Sequence, residues 1–400
     1  MSEGVTWQQR IALTALCTVP GLWLRLGAGE APPPLRMLTC GAAVVAAAFL
    51  LAWACEAAQE DIAHGLVLAI VAFVAILPEY VVEAHFAFIG HAEYVTANLT
   101  GAIRLLLGFC VAMPAVLALL PDRWRPLRPG PLRLAPAHRL ELAVLALGAL
   151  WSLRPVIRGE LTLLDGAVLI GVYGLYLRRV SSVAVESAPP IGVAAHLAAL
   201  PAHTRRRWTA LLMGYSALVI LLTAVPFGDS VLATGALVGI SPYLLLQWLV
   251  PVATEMPELV VAFVLLLHRR GGQAVAVLLA GAASQYTLAL GTLPLAFAVG
   301  RGVGPLPLAP REQVELLLTI GLALYAVAAL LRLRVSRADA AIMLALFTSQ
   351  MLLPASFARF ALAVVYLALA ADIALADRRS IGALAAALRP AVQRRRRTAT

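Results

Sequence analysis

The sequence contains no lysine and little charge of either sign. All 31 basic residues of the 400-residue chain are arginine, 21 residues are acidic, and only 13% of the chain is charged while 62% is hydrophobic. Soluble domains carry about a quarter charged residues, and the apolar residues here form runs of about twenty, the length that spans a bilayer. The composition therefore excludes an ordinary soluble protein and predicts an all-α polytopic membrane protein.

The sequence also lacks features that would indicate other functions. The four cysteines lie in or beside apolar runs, which argues against a disulfide framework. No P-loop, His-Glu-x-x-His or Gly-x-Ser-x-Gly motif is present, so neither an ATP-driven pump nor a hydrolase is indicated. We expect a protein that is not an enzyme and that holds no cofactor. The net charge of +10 would suit nucleic acid, but the arginines lie between apolar runs. The expected partners are therefore a lipid bilayer and inorganic cations, and not nucleic acid.

Twelve apolar runs predict about 11–12 transmembrane helices. They cover residues 11–26, 35–56, 64–90, 95–120, 139–156, 161–179, 208–227, 241–268, 273–300, 312–332, 338–354 and 357–376. We interpret the first run as an extra short membrane helix, with a signal segment as the alternative.

The arginines are concentrated in alternate connections between these runs. The connections after the runs ending near residues 120, 179, 268 and 332 hold most of them, together with the C-terminal tail. By the positive-inside rule these segments lie in the cytoplasm. This predicts a plasma (inner) membrane protein with a cytoplasmic central linker and tail. We expect Glu56, Glu60 and Asp61 on the extracytoplasmic side.

Two apolar runs, around VAILPEYVVEA and VATEMPELVVA, each contain a proline and two acids. These residues are Pro78, Glu79 and Glu83 in the first run and Glu255, Pro257 and Glu258 in the second. A charged side chain at the bilayer centre costs about 2.5–3.5 kcal/mol, so four such acids indicate a functional site. Because proline removes an intrahelical hydrogen bond, Pro78 and Pro257 predict breaks in the two helices.

The two runs occupy matching places in two halves of the chain. Glu141 precedes Asp165 by 24 residues, and Glu315 precedes Asp339 by the same 24. We expect these four acids near helix ends, as helix-start signals or interfacial charges. The matching order predicts two five-helix repeats. An odd number of helices inverts the second repeat, as in secondary transporters.

The predicted repeats also fix the domain boundaries. They are an N-terminal extra helix at 1–34, the first repeat at 35–180, a cytoplasmic linker at 181–207, the second repeat at 208–355, and a C-terminal helix with a basic cytoplasmic tail at 356–400.

Polar side chains on the helix after each acidic run lie at a similar depth. They are Thr96, Asn98, Thr100 and Arg104 in the first half and Ser284, Gln285, Tyr286 and Thr287 in the second. Carboxylates, hydroxyls and freed backbone carbonyls suit hard cations, calcium above all. The acids and their polar neighbours therefore predict a cation site. The alternative is that Arg104 neutralises Glu79 or Glu83 as a buried pair and that nothing binds.

These motifs resemble those of the sodium/calcium exchanger family, the cation/calcium exchangers with two inverted α-repeats. The family motif Gly-Thr-Ser-x-Pro-Glu corresponds to AILPE at 75–79 and ATEMPE at 253–258. Its second motif, near Gly-Asn-x-x-Gly-Ser-Asn, corresponds to ANLTGA at 97–102 and GAASQYTLALG at 281–291. The resemblance implies ten core helices and a cation site shared by both repeats. It also implies exchange of calcium against sodium or protons by alternating access.

The resemblance further implies roles for individual residues. Glu79 and Glu258 would be paired calcium ligands, and Thr254 a sodium ligand through its hydroxyl or carbonyl. Asn98 and Gln285 would contribute amides. The candidate metal ligands are Glu79, Glu83, Asn98, Thr254, Glu255, Glu258, Ser284 and Gln285.

The chain departs from the family pattern at several of these positions. Ala75 and Ile76 stand where the family has Thr-Ser, Glu255 replaces a usual serine, and Arg104 is added. These changes leave sodium and protons open as the coupling ion, and we hypothesise that a carboxylate or Arg104 replaces a bound cation. The alternatives are a proton-coupled antiporter for potassium, sodium or magnesium, a non-transporting protein with the exchanger fold, and an intramembrane enzyme.

Overall fold

The protein is built almost entirely from helices, as a chain of long apolar runs should be. The computed structural model describes residues 6–27, 31–61, 76–118, 132–180, 190–302 and 304–388. In the first half the helices are α1 Trp7–Leu16, α2 Val19–Leu26, α3 Pro33–Ala58, α4 Leu77–Ile89, α5 Ala92–Ala118, α6 Arg139–Trp151, α7 Leu153–Arg158 and α8 Leu163–Val180. A 3₁₀ turn at Pro136–His138 precedes α6.

The second half repeats this sequence of long helices. Its helices are α9 Val193–Ala198, α10 Ala202–Val238, α11 Pro242–Thr254, α12 Met256–Leu267, α13 Gly271–Ser284, α14 Leu290–Arg301, α15 Pro310–Leu330, α16 Arg337–Leu352, α17 Ser356–Ala376 and α18 Arg378–Ala387. A π-helical segment, Gln285–Ala289, joins α13 to α14 without a turn.

Seven helical stretches within the described residues are long and apolar enough to cross a membrane, and the bent pair α11–α12 makes an eighth. The other four of the twelve predicted runs correspond to the pair α1–α2 and to α4, α8 and α16. α4 follows residues outside the described part of the chain, and α16 has only 16 residues. α8 carries three charged residues, Asp165, Arg178 and Arg179.

Two runs differ in detail from the prediction. Residues 11–26 form two short helices of ten and eight residues instead of one, because Pro20 restarts the helix after Thr18. The run expected to end at 227 continues as helix to Val238. Gly228, Asp229 and Ser230 lower the hydropathy there, but they do not stop the helix. The same helix begins at Ala202, inside the predicted linker.

The core lies around α5, which packs against α4, α11, α13, α15 and α16. In the most apolar 18-residue stretch of α5, 89% of the residues are buried, against 22% in the corresponding stretch of α17. α3 packs along α10, and α17 packs along α15. α5, which carries the polar residues of the first repeat, is therefore central, whereas the extra C-terminal helix α17 is peripheral.

Contacts between the ends of helices agree with a chain that crosses the membrane at each run. At one face the backbone of Gly300, near the end of α14, packs directly against the Phe88 carbonyl oxygen, near the end of α4. The contact is so close that a β-carbon on Gly300 would lie 2.0 Å from that oxygen. On the same face the strands β1 (Glu160–Leu161) and β2 (Leu306–Pro307) pair antiparallel. Both strands lie in connections between apolar runs, so the hydropathy pattern gives no sign of them.

The opposite face is joined by an ion pair that corrects one expectation. Arg205 at the start of α10 donates to both carboxylate oxygens of Asp61, just after α3, at 2.7 Å each. Arg206 adds a bond of 3.1 Å to the same carboxylate. Asp61 therefore shares a face with Arg205 and Arg206, so the loop after α3 lies on the arginine-rich face instead of on the face predicted for it. α3 and α10 pack side by side and run in opposite directions. The loop after α3 must therefore lie on the same face as the start of α10.

Candidate cation-binding site

The break expected at Pro257 separates α11 from α12. α11 ends at Thr254, α12 begins at Met256, and the two axes meet at 56°. Pro257 has no N–H to continue the hydrogen bonds of α11. Glu255 therefore lies between the two half-helices, and Glu258 lies in the first turn of α12.

The first repeat places its Pro-Glu pair at the same helical position. Pro78 and Glu79 are the second and third residues of α4, as Pro257 and Glu258 are of α12. The first turn of a helix presents free N–H groups and the positive end of the helix dipole, which favours a carboxylate there. Ala75 lies outside the described residues.

Each repeat also contains a hydrogen bond between an amide and an acid. Asn98 Nδ2, on α5, donates to Glu83 Oε1 on α4 at 3.1 Å. Gln285 Nε2, at the start of the π-helical segment, donates to Glu255 Oε1. Local π-helical geometry is frequent at functional sites because it re-aims side chains within a continuous helix.

Oxygen atoms of these two pairs remain free to bind a ligand. Glu83 Oε2, Asn98 Oδ1 and Gln285 Oε1 are buried and have no hydrogen-bond partner among the described residues. All three are acceptors, which is the chemistry that a hard cation requires.

The four acids lie close enough for their charges to interact. Glu79 is within electrostatic reach of Glu258 and Glu83, and Glu255 of the other three. Glu79, Glu83 and Glu255 are at most 3% exposed, and Glu258 is half-buried. In the described part of the chain, none of the four forms an ion pair with an arginine or histidine.

The two hydroxyl candidates are engaged with their own helices. Thr254 Oγ1 donates to the Val250 carbonyl at 3.1 Å, and Ser284 Oγ donates to the Ala280 carbonyl at the same distance. Thr254 is buried beside Glu79. Over the described residues no three His, Cys, Asp or Glu side chains approach closely enough to hold a metal ion. The acids therefore face one region without forming a closed coordination shell.

The comparisons with known proteins give this geometry a family. The model of the sodium/calcium exchanger protein family matches residues 34–181 and 208–354. The chain belongs to the sodium/calcium exchanger family. It is thereby an integral membrane protein of a cation-exchanging transporter family. Among curated proteins none matches the chain significantly.

Solved structures agree with this membership. The exchanger is 32% identical to an H⁺/Ca²⁺ exchanger, CAX, with 96% of this chain and 97% of that one covered and a TM-score of 0.89. The sodium-calcium exchanger NCX_Mj is 17% identical, with 86% and 99% covered and a TM-score of 0.51. YfkE is 12% identical, with 90% and 99% covered and a TM-score of 0.58. The last two show the shared fold alone.

Arg104 does not neutralise the candidate site of the exchanger. Its guanidinium is fully buried and pairs with Glu315 on α15, with 2.9 Å between Nη2 and Oε2. Glu315 also binds Arg359, near the start of α17. The proposed neutralisation of Glu79 or Glu83 by Arg104 is therefore wrong. Glu315 lies near the start of α15 as predicted, in its second turn, but it is neither a helix-start signal nor an interfacial charge, because it is 1% exposed and pairs with two arginines.

Two glutamines complete this buried charge cluster, which sequence reasoning missed. Gln247 on α11 donates to Glu315 Oε2 at 3.0 Å and accepts from Arg359 at 2.9 Å. Gln350 on α16 accepts from Arg104 Nη1 at 3.4 Å. An arginine inside one apolar run and a glutamate near the start of another were the available signal, since a buried charge needs a partner of opposite sign.

Proposed function

We propose that the exchanger moves calcium across the membrane in exchange for protons. Its cation site would be formed by Glu79 and Glu258, with Glu83 and Glu255 as further carboxylates. Asn98, Gln285, Thr254 and Ser284 would contribute neutral oxygen atoms.

One observation carries this proposal: four acids, three of them fully buried, converge without a cationic partner among the described residues. Charged groups in the membrane interior are costly unless they are paired or neutralised. Calcium would neutralise them in one state, and protons would neutralise them in the other. The same carboxylates would then serve both ions, which makes the exchange obligatory.

Protons are favoured over sodium by the shortage of hydroxyl groups. The first repeat has Ile76 where the family has a hydroxyl, and in the second repeat Glu255 replaces a serine. A proton neutralises a carboxylate by bonding to it. A sodium ion forms no such covalent bond, so a sodium site needs several neutral oxygens around the ion. The similarity over nearly the whole chain to an exchanger described as H⁺/Ca²⁺ supports the same choice.

The mechanism would be alternating access around the two helix breaks. The half-helices bearing Glu79 and Glu258 would hold the site near the midplane, while peripheral helices move to open it to either face. By the positive-inside rule, the face with Arg205, Arg206 and the basic tail would be cytoplasmic, in a plasma (inner) membrane.

The test is uptake of radioactive calcium into proteoliposomes, first with an imposed pH gradient and then with an imposed sodium gradient. We expect uptake with the pH gradient only, and its loss in the Glu79→Gln/Glu258→Gln double variant. Glu160→Gln is the matched control, because Glu160 is a partly exposed acid paired with Arg158 outside the site.

The other outcomes would reject the coupling ion, the transported cation or the site. Uptake driven only by sodium would reject proton coupling and leave calcium exchange standing. Uptake of magnesium or potassium but not calcium would reject the cation assignment. Equal uptake by the double variant and the native protein would reject the site.

A further inference from the structure

The buried charge cluster of Arg104, Arg359, Glu315, Gln247 and Gln350 does not balance its own charge. It holds two guanidinium groups, which stay protonated in proteins, and one carboxylate. Arg311, whose guanidinium lies 3.5 Å from the centre of the Tyr243 ring, and the neighbouring Glu312 carry one charge of each sign, so together they do not change this balance. The cluster therefore keeps one net positive charge among side chains at most 1% exposed.

The cluster is also short of hydrogen-bond acceptors. Both oxygens of Glu315 accept from guanidinium groups. The side-chain oxygens of Gln247 and Gln350 accept from Arg359 and Arg104. Every side-chain acceptor of the cluster is thus occupied.

Donors, in contrast, are left over. Arg359 Nη2 and Gln350 Nε2 are buried and have no acceptor in the part of the chain that the structure describes. The same holds for the hydroxyl of Tyr243, which is 4% exposed and lies within electrostatic reach of Arg104 and Arg359. An unpaired buried donor costs about 1–3 kcal/mol, and an unpaired buried charge costs more.

We propose that this cluster is a binding site for a small monovalent anion, a halide such as chloride. One such anion would cancel the net charge and accept from Arg359 Nη2, Gln350 Nε2 and the Tyr243 hydroxyl. A halide fits better than a phosphate or a carboxylate, because a single positive charge and three donors from separate helices suit a compact, spherical acceptor.

The anion would act as a structural ion between the helices that carry the cation site. The cluster joins α5, which bears Asn98, to α11, which ends at Thr254, and both to α15, α16 and α17. α5 and α11 are in direct contact here: a β-carbon on Gly101 would lie 1.9 Å from the Gln247 carbonyl oxygen. Binding at the cluster therefore stabilises the arrangement of the two site-bearing helices without touching the transported cation.

The first test is thermal unfolding of the purified exchanger in sodium chloride and in sodium gluconate at equal ionic strength. We expect chloride to raise the unfolding midpoint by about 3 °C, because a ligand that binds only the folded protein stabilises it. Equal midpoints in the two salts would overturn the proposal.

Two variants separate a bound halide from a general effect of salt. Tyr243→Phe removes one donor with little change of shape, and we expect it to halve the chloride effect. Gln350→Leu should abolish it. Tyr325→Phe is the matched control, a buried tyrosine on α15 that donates to Asp339 outside the cluster, and it should keep the full effect. A chloride effect unchanged in Gln350→Leu would contradict the assignment.

The second test locates the ion. Crystals of the native exchanger grown in sodium bromide should show an anomalous peak within hydrogen-bond distance of Arg359 Nη2 and Gln350 Nε2. An ordered water molecule at that place, with no anomalous signal, would overturn the proposal even if chloride stabilises the protein elsewhere.

Discussion

The two repeats place their Pro-Glu pairs identically but their second acids differently. Glu79 and Glu258 are each the third residue of a helix, directly after a proline. The second acid follows by four residues in the first repeat, as Glu83, and precedes by three in the second, as Glu255. Each is held by an amide from the next apolar run.

Although the second acids differ in sequence position, we expect them on the same side of the Pro-Glu acids, because the repeats are inverted. α4 and α12 cross the membrane in opposite directions, so a step forward in α4 and a step backward in α12 lead to the same face. Glu83 and Glu255 are therefore both displaced toward the face where α4 ends, by about 4–6 Å at 1.5 Å per residue. We infer that the Pro-Glu acids form one layer of the proposed site and that the acid–amide pairs form a second layer on one side of it.

The strongest test of this comparison is to remove the Pro-Glu acids one at a time. If the two repeats contribute equally, Glu79→Gln and Glu258→Gln should each lower calcium transport at least about 100-fold, since a lost charged ligand costs about 3 kcal/mol. Initial rates of uptake into proteoliposomes measure this. A loss confined to one variant would show that the layer is not a symmetric pair.

A second contrast lies in the acids at 141 and 315, which the sequence places at matching positions. Glu315 pairs with two buried arginines, whereas Glu141 lies beside His138, at 3.7 Å, and beside the Tyr176 hydroxyl, with no arginine partner among the described residues. We expect Glu315→Gln to destabilise the exchanger by about 3–5 kcal/mol, because it leaves two buried cations without a carboxylate. Glu141→Gln should cost about 1 kcal/mol or less, because it leaves no buried guanidinium without a carboxylate.

Thermal unfolding of the two purified variants measures this contrast. A similar midpoint for both would mean that Arg104 and Arg359 find other partners when Glu315 is neutral.

These cases show how much of the molecule could be read from the sequence. The helical membrane fold and the exchanger family followed from run length and from two Pro-Glu motifs, since both are local in the chain. The Arg104–Glu315–Arg359 cluster could not be predicted, because it joins residues up to 255 positions apart, and a charge in or beside an apolar run does not indicate its partner. The direction in which Arg104 pairs depends on helix packing, and the nearest acids along the chain were not its partners.

The second layer of the site is tested by exchanging the members of one acid–amide pair. Glu83→Gln alone should lower transport about tenfold, because it removes one carboxylate but keeps the side chain's size and an amide–amide hydrogen bond. Glu83→Gln combined with Asn98→Glu restores one acid and one amide, and we expect it to recover most of the lost rate.

The same exchange in the second repeat is Glu255→Gln with Gln285→Glu, which keeps both side-chain lengths. Recovery in both repeats would show that the charge of the layer matters more than the helix that carries it. Recovery in neither would show that each acid must stand on its own helix.

The smallest effect is expected where the first helices of the two repeats are joined, outside the membrane-spanning segments. Hydrogen bonds from Arg205 lower the pKa of the Asp61 carboxyl below its ordinary value. A lowered pKa in the folded state means stability that is present above the unfolded pKa of about 3.9 and is lost as the pH falls through the folded pKa.

Asp61→Asn should therefore cost about 1 kcal/mol at pH 7. The difference from the native protein should shrink as the pH falls below about 4, as measured by unfolding midpoints from pH 7 to pH 3. Glu160, a partly exposed acid paired with Arg158 at the other face, gives the control variant, Glu160→Gln. A deficit in Asp61→Asn that is the same at pH 3 as at pH 7 would mean that the aspartate contributes through its shape and not through its charge.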